Sequence, residues 1–594
     1  MTKVVNISQC DALRSLMREH ALDYYWVPGS DQHFNEYVPS CWRRREFLSG
    51  FTGSAGDLLV GLEDAWLWTD SRYWLQADAQ LAGTGIHVQR LGEADVLSIE
   101  ETILRLASQP TTRVGVDPHL ITIEAQQRLQ SGGVTLCLLA QNLVDQVWAT
   151  RPPMPLSPVR EHPQVVAGQS AADKLLQVRQ WCRQQGSGFL VVTDLTEIAW
   201  LLNCRGQAVP TTPIFLAYVV LGLTEAWVFM HVSQLDADTR LHLSKAGYSV
   251  RPYEDFTTVL ATLKGSVWLD PRLTSSAVPA SLSMEQSRVE CVTSPLQLPR
   301  ARKNSAEQKG MREAHFYDGL AVIRFFAWVS CHWEGLNECS FADKLTAFRQ
   351  QHDDFTTVSF ESICGYAAHG AIVHYQAEPS TAAQIGDDNC VLIDSGGQYR
   401  CGGTTDITRV LHFGRPTAQQ RSCYTRVLKG HVSISMAVFN AGTTGAQLDS
   451  LARQPLQSAG MDYGHGTGHG VGSYLSVHEG PQAISPRNTV VLEPGMILSN
   501  EPGVYCEGEF GIRIENVIMV VASDNKSDEN EQYCFETLTQ VPYARELIDV
   551  ALLSPREIAW IDEYHERIFD AYSQYLNPNE RRWLKQATVP LGVA

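Results

Sequence analysis

Acidic side chains follow directly on apolar runs in the last third of the chain, at positions where a fold normally needs apolar or turn residues. Val391–Asp394 reads VLID, and after a glycine-rich stretch a second run begins near Asp406. An acid directly after an apolar strand is costly to bury unless it is paired or bound to metal. We expect a β-hairpin that brings both carboxylates to one face. Taken alone, the segment is more typical of a hairpin whose acids lie at its exposed end.

A second unusual segment is Gly464–Pro481, which reads GHGTGHGVGSYLSVHEGP and contains His465, His469 and His478. This pattern does not form an amphipathic helix face, and its HxxxH spacing lacks the glutamate of the zincin HExxH motif. The glycines allow the backbone to approach a ligand closely. Alone, the segment fits equally well a flexible glycine loop with incidental histidines.

Two glutamates complete the set. Glu501 precedes Pro502 in SNEPGVY, which predicts a turn after an apolar run. Glu515 alternates with two isoleucines in FGIRIENV, so we expect a strand on which Glu515 and Arg513 share one face. Such a guanidinium can orient a ligating carboxylate through a hydrogen bond. For either glutamate alone, a solvent-exposed position is the commoner case.

Together, these segments supply four carboxylates and one imidazole. An oxygen-rich set of this kind suits two hard divalent cations, with manganese expected ahead of zinc or cobalt. Two neighbouring cations can hold and deprotonate a bridging water and stabilise the charge that develops when it attacks a carbonyl. The sequence therefore predicts a two-metal hydrolase that needs no nucleophilic serine or cysteine. Its proposed ligands are Asp394, Asp406, His469, Glu501 and Glu515.

Composition excludes several other classes of protein. The net charge of -18 argues against nucleic acid or an anionic membrane surface as the main partner. The longest apolar run, Ile214–Leu223, is about half the length of a membrane span of ~20 residues. The first residues lack the apolar run of a signal peptide. The 14 cysteines form no CxxC pair, which favours reduced thiols in a cytoplasmic protein.

At 594 residues, the chain is long enough for several domains. Helical and β-rich runs alternate over two successive stretches of about 150 residues, which suggests a duplicated α/β architecture without a residue-level repeat. A proline-rich link at Arg151–Pro158 separates the two stretches, and Leu298–Ser305 precedes the third. We predict α/β domains at residues 1–150 and 155–300, a catalytic domain at 303–540 and a helical extension at 541–594.

Capping patterns predict where the later helices begin. Ser305 and Gln308 have the spacing of a capping box, so a long helix is expected to start there and to run to about Trp333. Ser554 and Asn577 each precede a proline with a glutamate two residues later, the pattern of a helix N-terminus. These last two helices are expected to pack on the third domain.

The motifs resemble those of the pita-bread metallopeptidases, and most closely the long, three-domain Xaa-Pro aminopeptidases, over essentially the whole chain. The resemblance implies a fold of two creatinase-like α/β domains followed by a pita-bread catalytic domain with a helical C-terminal extension. The motifs that carry it, in chain order, are GFTGSAG (50–56), WTDSRY (68–73), EIAWLLNCRG (197–206), AHGAIVHY (368–375), GHGTGHGVG (464–472), VHEGP (477–481), EPGVY (501–505), FGIRIENV (510–517) and LIDVALLSPREIAW (547–560).

The resemblance also implies roles for individual residues. It makes the same five residues the metal ligands, with Asp406 and Glu515 bridging both cations and Glu501 also shuttling the proton of the attacking water. It implies that His374 and His478 are catalytic, binding substrate and stabilising the tetrahedral intermediate, and that His465 lines the substrate pocket. Arg72 matches an arginine that contacts substrate in the long form.

The activity implied is release of the first residue of peptides with proline at position 2, by a cytoplasmic homodimeric enzyme. One departure concerns the turn Tyr399–Gly403, which places the two aspartates twelve positions apart where the family usually has eleven. Lengthening a turn costs little, so we expect both aspartates to keep their places. Two alternatives stay open: an Xaa-Pro dipeptidase of the prolidase type, and a non-catalytic pita-bread protein that binds peptides.

Overall fold

The computed structural model describes residues 2–107, 111–186, 188–523 and 531–592. The chain forms two compact units. One comprises Met1–Pro163, Gln169–Val209 and Ile214–Leu296, and the other comprises Gln164–Gly168, Pro210–Pro213 and Gln297–Ala594.

Helices and strands alternate along much of the chain. The α-helices are α1 (Thr2–Glu19), α2 (Arg44–Ser49), α3 (Trp74–Leu81), α4 (Ile99–Leu106), α5 (Ile123–Ser131), α6 (Leu143–Val147), α7 (Gln164–Ala167), α8 (Ala171–Gln184), α9 (Leu195–Leu202), α10 (Ala237–Lys245), α11 (Phe256–Leu260), α12 (Ala277–Ala280), α13 (Gln297–Ala301), α14 (Ser305–Val329), α15 (Glu338–Arg349), α16 (Ala418–Ser435), α17 (Gly445–Gln457), α18 (Pro555–Tyr572) and α19 (Pro578–Ala587). The strands are β1 (Tyr24–Val27), β2 (Asp57–Gly61), β3 (Ala65–Thr69), β4 (Ile86–Arg90), β5 (Val114–Val116), β6 (Leu136–Leu138), β7 (Arg160–Glu161), β8 (Phe189–Val192), β9 (Cys204–Arg205), β10 (Ala217–Leu221), β11 (Ala226–Met230), β12 (Ser249–Arg251), β13 (Gly265–Leu269), β14 (Ser287–Cys291), β15 (Phe355–Val358), β16 (Ile363–Tyr366), β17 (Cys390–Ser395), β18 (Gly397–Tyr399), β19 (Gly403–Thr404), β20 (Ile407–His412), β21 (Val438–Asn440), β22 (Gly468–His469), β23 (Ala483–Ile484), β24 (Ile497–Asn500), β25 (Gly503–Cys506), β26 (Phe510–Arg513), β27 (Asn516–Ala522) and β28 (Gln532–Thr537). Short 3₁₀ helices lie at Ser40–Trp42, Val232–Gln234, Tyr253–Asp255, Ala367–Ala371, Arg545–Leu547, Val550–Leu552 and Ser573–Tyr575.

The first unit contains two six-stranded sheets with the same topology. Their strand orders are β4-β3-β2-β1-β5-β6 and β12-β11-β10-β8-β13-β14. In each sheet the central three strands are antiparallel, and the outer strands on both sides join in parallel. The predicted duplication is therefore present in the strand order, although the sequences of the two halves do not repeat.

Both faces of the first sheet are covered by apolar side chains. Along β2, Leu58 and Val60 belong to one buried cluster and Leu59 belongs to another, because successive side chains of a strand point to opposite faces. The three side chains are fully buried. This explains why the sequence of β2 is continuously apolar rather than alternating.

The strands of the second unit pair in antiparallel fashion. Its sheets have the orders β15-β18-β19, β16-β17-β20 and β21-β28-β27-β24, and two further pairs join β22 with β23 and β25 with β26. The long helix α14 and the helices α15 to α17 accompany these strands. The predicted class is confirmed: two α/β domains with six-stranded sheets precede a domain of antiparallel strands and helices.

The C-terminal helices pack on the catalytic domain as predicted. Ile561, Tyr564 and Ile568 of α18 share one buried cluster with Leu392 of β17 and Val410 of β20. The hydroxyl of Tyr564 donates to the carbonyl oxygens of Thr539 and Val541, both at 3.0 Å. The extension therefore covers the strands that carry the two aspartates.

Helix caps agree with two predictions and correct a third. Ser554 and Asn577 cap α18 and α19 in capping boxes with Glu557 and Glu580. For α14 the predicted cap, Ser305, was wrong by one residue, because Asn304 is the cap and Glu307 closes the capping box. The Asn304 side chain reaches the free N–H groups of Ala306 and Glu307, and α14 ends at Val329 rather than near Trp333.

The cysteines, the search for membrane-spanning helices and the domain limits concern the remaining predictions. All fourteen cysteines are free thiols. Among the described residues, no helix combines the length and the apolar character that crossing a membrane would require. The exact domain limits at residues 150, 300 and 540 stay predictions.

Candidate metal centre

The two aspartates lie on adjacent antiparallel segments, as the hairpin prediction required. Asp394 is the next-to-last residue of β17, and Asp406 directly precedes β20. The strands pair continuously from Cys390 with His412 to Ser395 with Ile407, a register that places Asp394 opposite Thr408. Both carboxylates are buried, so the alternative of acids at an exposed hairpin end does not hold.

The lengthened turn lies at the far end of the same hairpin. Beyond the aspartates, the chain continues through β18 and β19, and Tyr399 pairs with Gly403 across the turn. Gly402 has φ of 105°, a conformation that favours glycine. A Cβ at Gly310 of α14 would lie 2.2 Å from the carbonyl oxygen of Cys401, so the helix approaches the turn closely. The long turn is accommodated against α14, where it leaves the register at Asp394 continuous.

His469 is carried by a two-residue strand between glycines. β22 pairs with β23, and a Cβ at Gly468 or Gly470 would lie 1.9 Å from the carbonyl oxygen of Ser499 or Glu479, respectively. The glycines therefore let this backbone approach neighbouring protein backbone. The close approach of these glycines to a ligand stays a prediction.

The two glutamates lie at the ends of β24 and β27, which are neighbours in the sheet β21-β28-β27-β24. Glu501 directly follows β24, and its backbone N–H donates to the carbonyl oxygen of Thr467 at 2.7 Å. Glu515 lies in the two-residue link between β26 and β27, so its predicted position on a strand was wrong. The link is instead hydrogen-bonded to residues of β20. The backbone N–H of Glu515 donates to the carbonyl oxygen of Thr408 at 3.2 Å, and the carbonyl oxygen of Glu515 accepts from the Arg409 guanidinium at 2.6 Å.

Three donor atoms lie together at the centre of this arrangement. One ligand atom each from Asp406, His469 and Glu515 lies within 4.8 Å of the other two. Nε2 of His469 is 3.3 Å from a carboxylate oxygen of Asp406 and 3.5 Å from one of Glu501. Asp394 adjoins this group, since its charge acts on both Glu501 and Glu515.

Burial and the repulsion of neighbouring charges raise the pKa values of Asp394, Glu501 and Glu515. Burial raises the pKa of Asp394 to about 7, and the charges of Asp406 and Glu501 add to the rise against the opposing effect of Arg513. Burial likewise raises the pKa of Glu501 above its usual range and that of Glu515 well above it. Such a cluster of buried acids without a neutralising cation is costly to the fold.

Two polar atoms test whether the site fits a cation. Nδ1 of His469 lies 2.9 Å from the carbonyl oxygen of Gly470, which accepts its hydrogen and leaves Nε2 with a lone pair aimed at two carboxylates. A lone pair facing carboxylate oxygens is repulsive, so a proton or a metal ion must lie between Nε2 and the carboxylates. Burial lowers the pKa of His469, but the hydrogen bond to Asp406 and the charge of Glu501 raise it to about 9. Oδ1 of Asp394 is buried without a hydrogen-bond partner among the described residues. The donor set therefore fits hard divalent cations.

Arg513 connects the cluster to side chains that the sequence patterns did not assign. Its guanidinium donates to Asp394 at 2.7 Å, to Oγ1 of Thr408 at 3.1 Å and to the hydroxyl of Tyr505 at 2.8 Å. The Thr408 hydroxyl donates to Glu515 at 2.8 Å. Arg513 thus orients Asp394 directly and Glu515 only through Thr408. Tyr505 lies in the EPGVY motif, but a threonine within a β-strand gives no sequence signal of its role.

Two of the remaining histidines lie beside this network. Nε2 of His465 is 2.8 Å from the Tyr505 hydroxyl, and its Nδ1 is 2.8 Å from the carbonyl oxygen of Gly466. The ring of His478 meets that of His469 edge to face, with centroids 4.3 Å apart. Both side chains are half-buried.

His374 lies on a loop held by a buried acid that no sequence motif singled out. The loop follows the 3₁₀ helix Ala367–Ala371. That helix packs closely on β26, because a Cβ at Gly511 would lie 1.7 Å from the carbonyl oxygen of Gly370. Glu338, fully buried at the start of α15, accepts from the backbone N–H groups of Tyr366 and Ala383 at 2.7 and 2.8 Å. The half-buried His374 is thereby carried on an anchored segment.

Arg72 belongs to the first unit. There its guanidinium makes a bidentate pair with Asp70, with both bonds 2.8 Å long, and lies over the ring of Tyr73 at 5.4 Å. Its contact with substrate stays a prediction.

Comparison with known proteins identifies related families over the whole chain. Residues 9–146 and 150–307 each match a Creatinase/Prolidase N-terminal domain, residues 309–522 match metallopeptidase family M24, and residues 531–591 match the C-terminal region of peptidase M24.

Individual relatives match at full length. The chain is 37% identical to aminopeptidase P1 of Lotus japonicus, over 98% of this chain and 99% of that protein. It is 40% identical to a probable Xaa-Pro aminopeptidase P of Fusarium vanettenii, over 99% of both chains. The structure is similar to that of an X-prolyl aminopeptidase from Caenorhabditis elegans, described as a cytosolic enzyme with a di-nuclear active site. That match has a TM-score of 0.94 and 32% sequence identity and covers 99% of this chain and 100% of the other.

Proposed function

Because the chain belongs to the aminopeptidase P family of M24 metallopeptidases, we propose that it removes the N-terminal residue from peptides whose second residue is proline. The observation that carries this proposal is the full-length match to proteins named for that activity, together with a buried site whose donors fit hard cations. Because these relatives are named as aminopeptidases P, the proposal favours this activity over that of an Xaa-Pro dipeptidase.

We propose that Asp394, Asp406, His469, Glu501 and Glu515 hold two divalent cations, with manganese as the physiological metal. The lone pair of His469 and the unpartnered oxygen of Asp394 support this assignment. When bound, such cations supply a nucleophile from water at neutral pH and polarise the scissile carbonyl. Asp394 and Glu515 would hold the cations in place of the protons that their raised pKa values otherwise favour.

The remaining side chains supply proton transfer and orientation. In the proposal, Glu501, the least buried of the four acids, takes the proton of the attacking water and passes it to the leaving nitrogen. His478 and His374 donate hydrogen bonds to the oxyanion that develops on the scissile carbonyl. His465 and Arg72 contact the peptide. Arg513 and Thr408 hold Asp394 and Glu515 in orientation.

This chemistry suits a bond to proline. The Xaa–Pro amide nitrogen carries no hydrogen, and the ring fixes the backbone of the second residue. A site that recognises its substrate through the N–H of the second residue therefore fails on such peptides. A site that acts on the carbonyl through cations and imidazoles does not need that hydrogen.

A release assay with matched peptides tests the proposal. Purified protein treated with a chelator and reloaded with manganese, zinc or cobalt is given Ala-Pro-Ala, Ala-Ala-Ala and the dipeptide Ala-Pro. We expect release of alanine from Ala-Pro-Ala, restored best by manganese, and at most slow cleavage of Ala-Ala-Ala. Exclusive cleavage of Ala-Pro would instead identify a dipeptidase, and binding of Ala-Pro-Ala without any cleavage would identify a peptide-binding module.

Two further properties follow from the resemblance. We propose a cytoplasmic location, supported by the description of the nematode enzyme as cytosolic. We also propose a homodimer, for which sedimentation velocity is the direct test, since a monomer sediments as a particle of 66.0 kDa.

A further inference from the structure

The glycine-rich segment 464–470 carries two histidines of the site but has few side chains of its own to fix it. Gly464, Gly466, Gly468 and Gly470 alternate with His465, Thr467 and His469. Glycine has more backbone freedom than any other residue, so a segment of this composition needs external contacts to hold one conformation. Strand β23 and the chain at Glu501 supply some of those contacts, and helix α17 supplies a further set through its side chains.

Arg453 of α17 makes hydrogen bonds with all five of its guanidinium hydrogens. Nε and Nη2 donate to the carboxylate of Asp449 at 2.6 and 3.3 Å, and Nη1 donates to Asp462 at 2.8 Å. Nη1 and Nη2 also donate to the carbonyl oxygens of Tyr463 and His465, both at 2.7 Å. The guanidinium is buried and lies 4.0 Å from the centre of the Tyr463 ring. One side chain thus fixes the backbone at both residues that flank Gly464.

Asp449 extends the same contacts to Thr467, the central residue of the segment. Its carboxylate accepts a hydrogen bond of 2.6 Å from the hydroxyl of Thr467, which is fully buried. Because that hydroxyl donates to Asp449, it must accept from the hydroxyl of Tyr463, also at 2.6 Å. The carbonyl oxygen of Thr467 in turn accepts from the backbone N–H of Glu501 at 2.7 Å. Two residues after Thr467 stands His469.

We propose that Arg453, together with Asp449 and Thr467, is a positioning residue that holds the glycine-rich segment so that His465, His469 and Glu501 face the metal centre. None of the three is a proposed ligand, and each acts through backbone or through another side chain. The assignment rests on the proposed function for its effect on turnover, but its effect on metal binding does not depend on the substrate.

The chemistry of the contacts requires arginine at position 453. A lysine retains the charge but has three hydrogens on one nitrogen and no planar fork, so it cannot reach two backbone carbonyls and two carboxylates together. At position 467, serine keeps the hydroxyl, whereas valine keeps the shape and loses it. The two positions therefore offer a test by chemistry at nearly constant size.

The experiment compares Arg453→Lys, Thr467→Val and Thr467→Ser with wild type in the full-length protein. The readouts are the Mn²⁺ dissociation constant by chelator competition, the absorption spectrum of the Co²⁺-loaded protein, and kcat and KM measured separately on Ala-Pro-Ala. We expect Arg453→Lys and Thr467→Val to weaken Mn²⁺ binding about 10- to 100-fold, as changes to groups that orient ligands do. Both should also alter the Co²⁺ spectrum and lower kcat more than they raise KM. Thr467→Ser should recover most of the loss.

Arg312→Lys is the matched control, because Arg312 makes a comparable bidentate bond to Glu536, 2.7 Å on both sides, at a partly exposed site. It should leave all readouts as in wild type. Lower thermal stability in Arg453→Lys and Thr467→Val with unchanged Mn²⁺ affinity, Co²⁺ spectrum and kcat would show a purely structural role and overturn the proposal. If Arg453→Lys does not fold, the Thr467 pair decides. If wild type does not cleave Ala-Pro-Ala while the variants still weaken Mn²⁺ binding, the positioning role stands and the proposed function fails.

Discussion

Two antiparallel hairpins, one in each unit, are built from similar apolar strands and are used in opposite ways. In the first unit, β2 and β3 bury Leu58, Leu59 and Leu67 completely. In the second unit, β17 and β20 bury isoleucine and valine in the same manner, but Asp394 and Asp406 are buried among them. The first hairpin contributes free energy through apolar area removed from water, whereas the second also contains charges that oppose folding.

In the second hairpin, the buried acids that the chemistry needs lower the stability of the fold. Burial and the charges of neighbouring acids raise the pKa of Asp394 in the second hairpin, and Arg513 offsets only part of that cost. Substitutions in the two hairpins should therefore have opposite consequences. In the catalytic hairpin, activity should change while the fold persists, and in the N-terminal hairpin the reverse should hold.

The largest effect is expected from removing a carboxylate of the centre. Asp406→Asn and Glu515→Gln should each reduce turnover of Ala-Pro-Ala by on the order of 10³-fold or more, about 4 kcal/mol of transition-state stabilisation. The thermal midpoint of the metal-free protein should stay the same or rise, because one of four repelling charges is gone. Steady-state kinetics and differential scanning calorimetry measure the two quantities.

Glu536→Gln is the control for this prediction, since Glu536 is a partly exposed acid of the same unit. It should leave kcat unchanged. A wild-type rate in either Asp406→Asn or Glu515→Gln would contradict the two-metal mechanism.

The converse prediction concerns the apolar hairpin. Leu67→Ala should destabilise the first unit by about 3 kcal/mol, because it removes a fully buried side chain and leaves a cavity. The kcat of the folded fraction should not change. Leu138→Ala, at an exposed position of the same sheet, should cost no more than about 0.5 kcal/mol. Urea denaturation followed by fluorescence gives both values, and equal losses in the two variants would argue against the burial of Leu67.

A smaller effect, on the pH dependence of stability, is expected from His565 in the C-terminal extension. Burial, followed by the charges of Arg545 and Arg409, lowers the pKa of His565 to about 3. The unfolded chain binds this proton below about pH 6.5 and the folded chain does not, so stability is lost as the pH falls from 6.5 toward 3. Between neutral pH and pH 5 the loss is about 2 kcal/mol. In His565→Gln, urea midpoints at pH 7.5 and pH 5 should differ less than in wild type; an equal difference would rule out this contribution.

The smallest effect is expected at the surface of the same extension. Ser554 caps α18 by accepting from the N–H of Glu557. Ser554→Ala should cost about 1 kcal/mol, while Ser573→Ala at the other end of the helix, which has no free N–H groups to cap, should cost much less. Thermal unfolding of the two variants checks the difference, which should vanish if the capping bond does not stabilise α18.

Sequence patterns anticipated the elements more closely than their exact ends. The hairpin of Asp394 and Asp406 and the capped starts of α18 and α19 were predicted, because each depends on residues a few positions apart. The cap of α14 was assigned one residue late, since Asn304 and Ser305 are both good caps and only the backbone conformation chooses between them. The alternation of its apolar neighbours predicts a strand at Glu515, but the residue lies in a link that is hydrogen-bonded to β20.

The sequence by itself determined the class of fold, the residue types of the site and, through family resemblance, the reaction to expect. These follow from local periodicity and from motifs that a short segment carries whole. Only the tertiary structure decided which groups orient the acids. Thr408 reaches Glu515 and Arg513 reaches Asp394 across more than a hundred residues, and Arg453 fixes the glycine-rich segment through backbone carbonyls. Such contacts depend on how strands and helices pack together, and no local pattern of side chains records them.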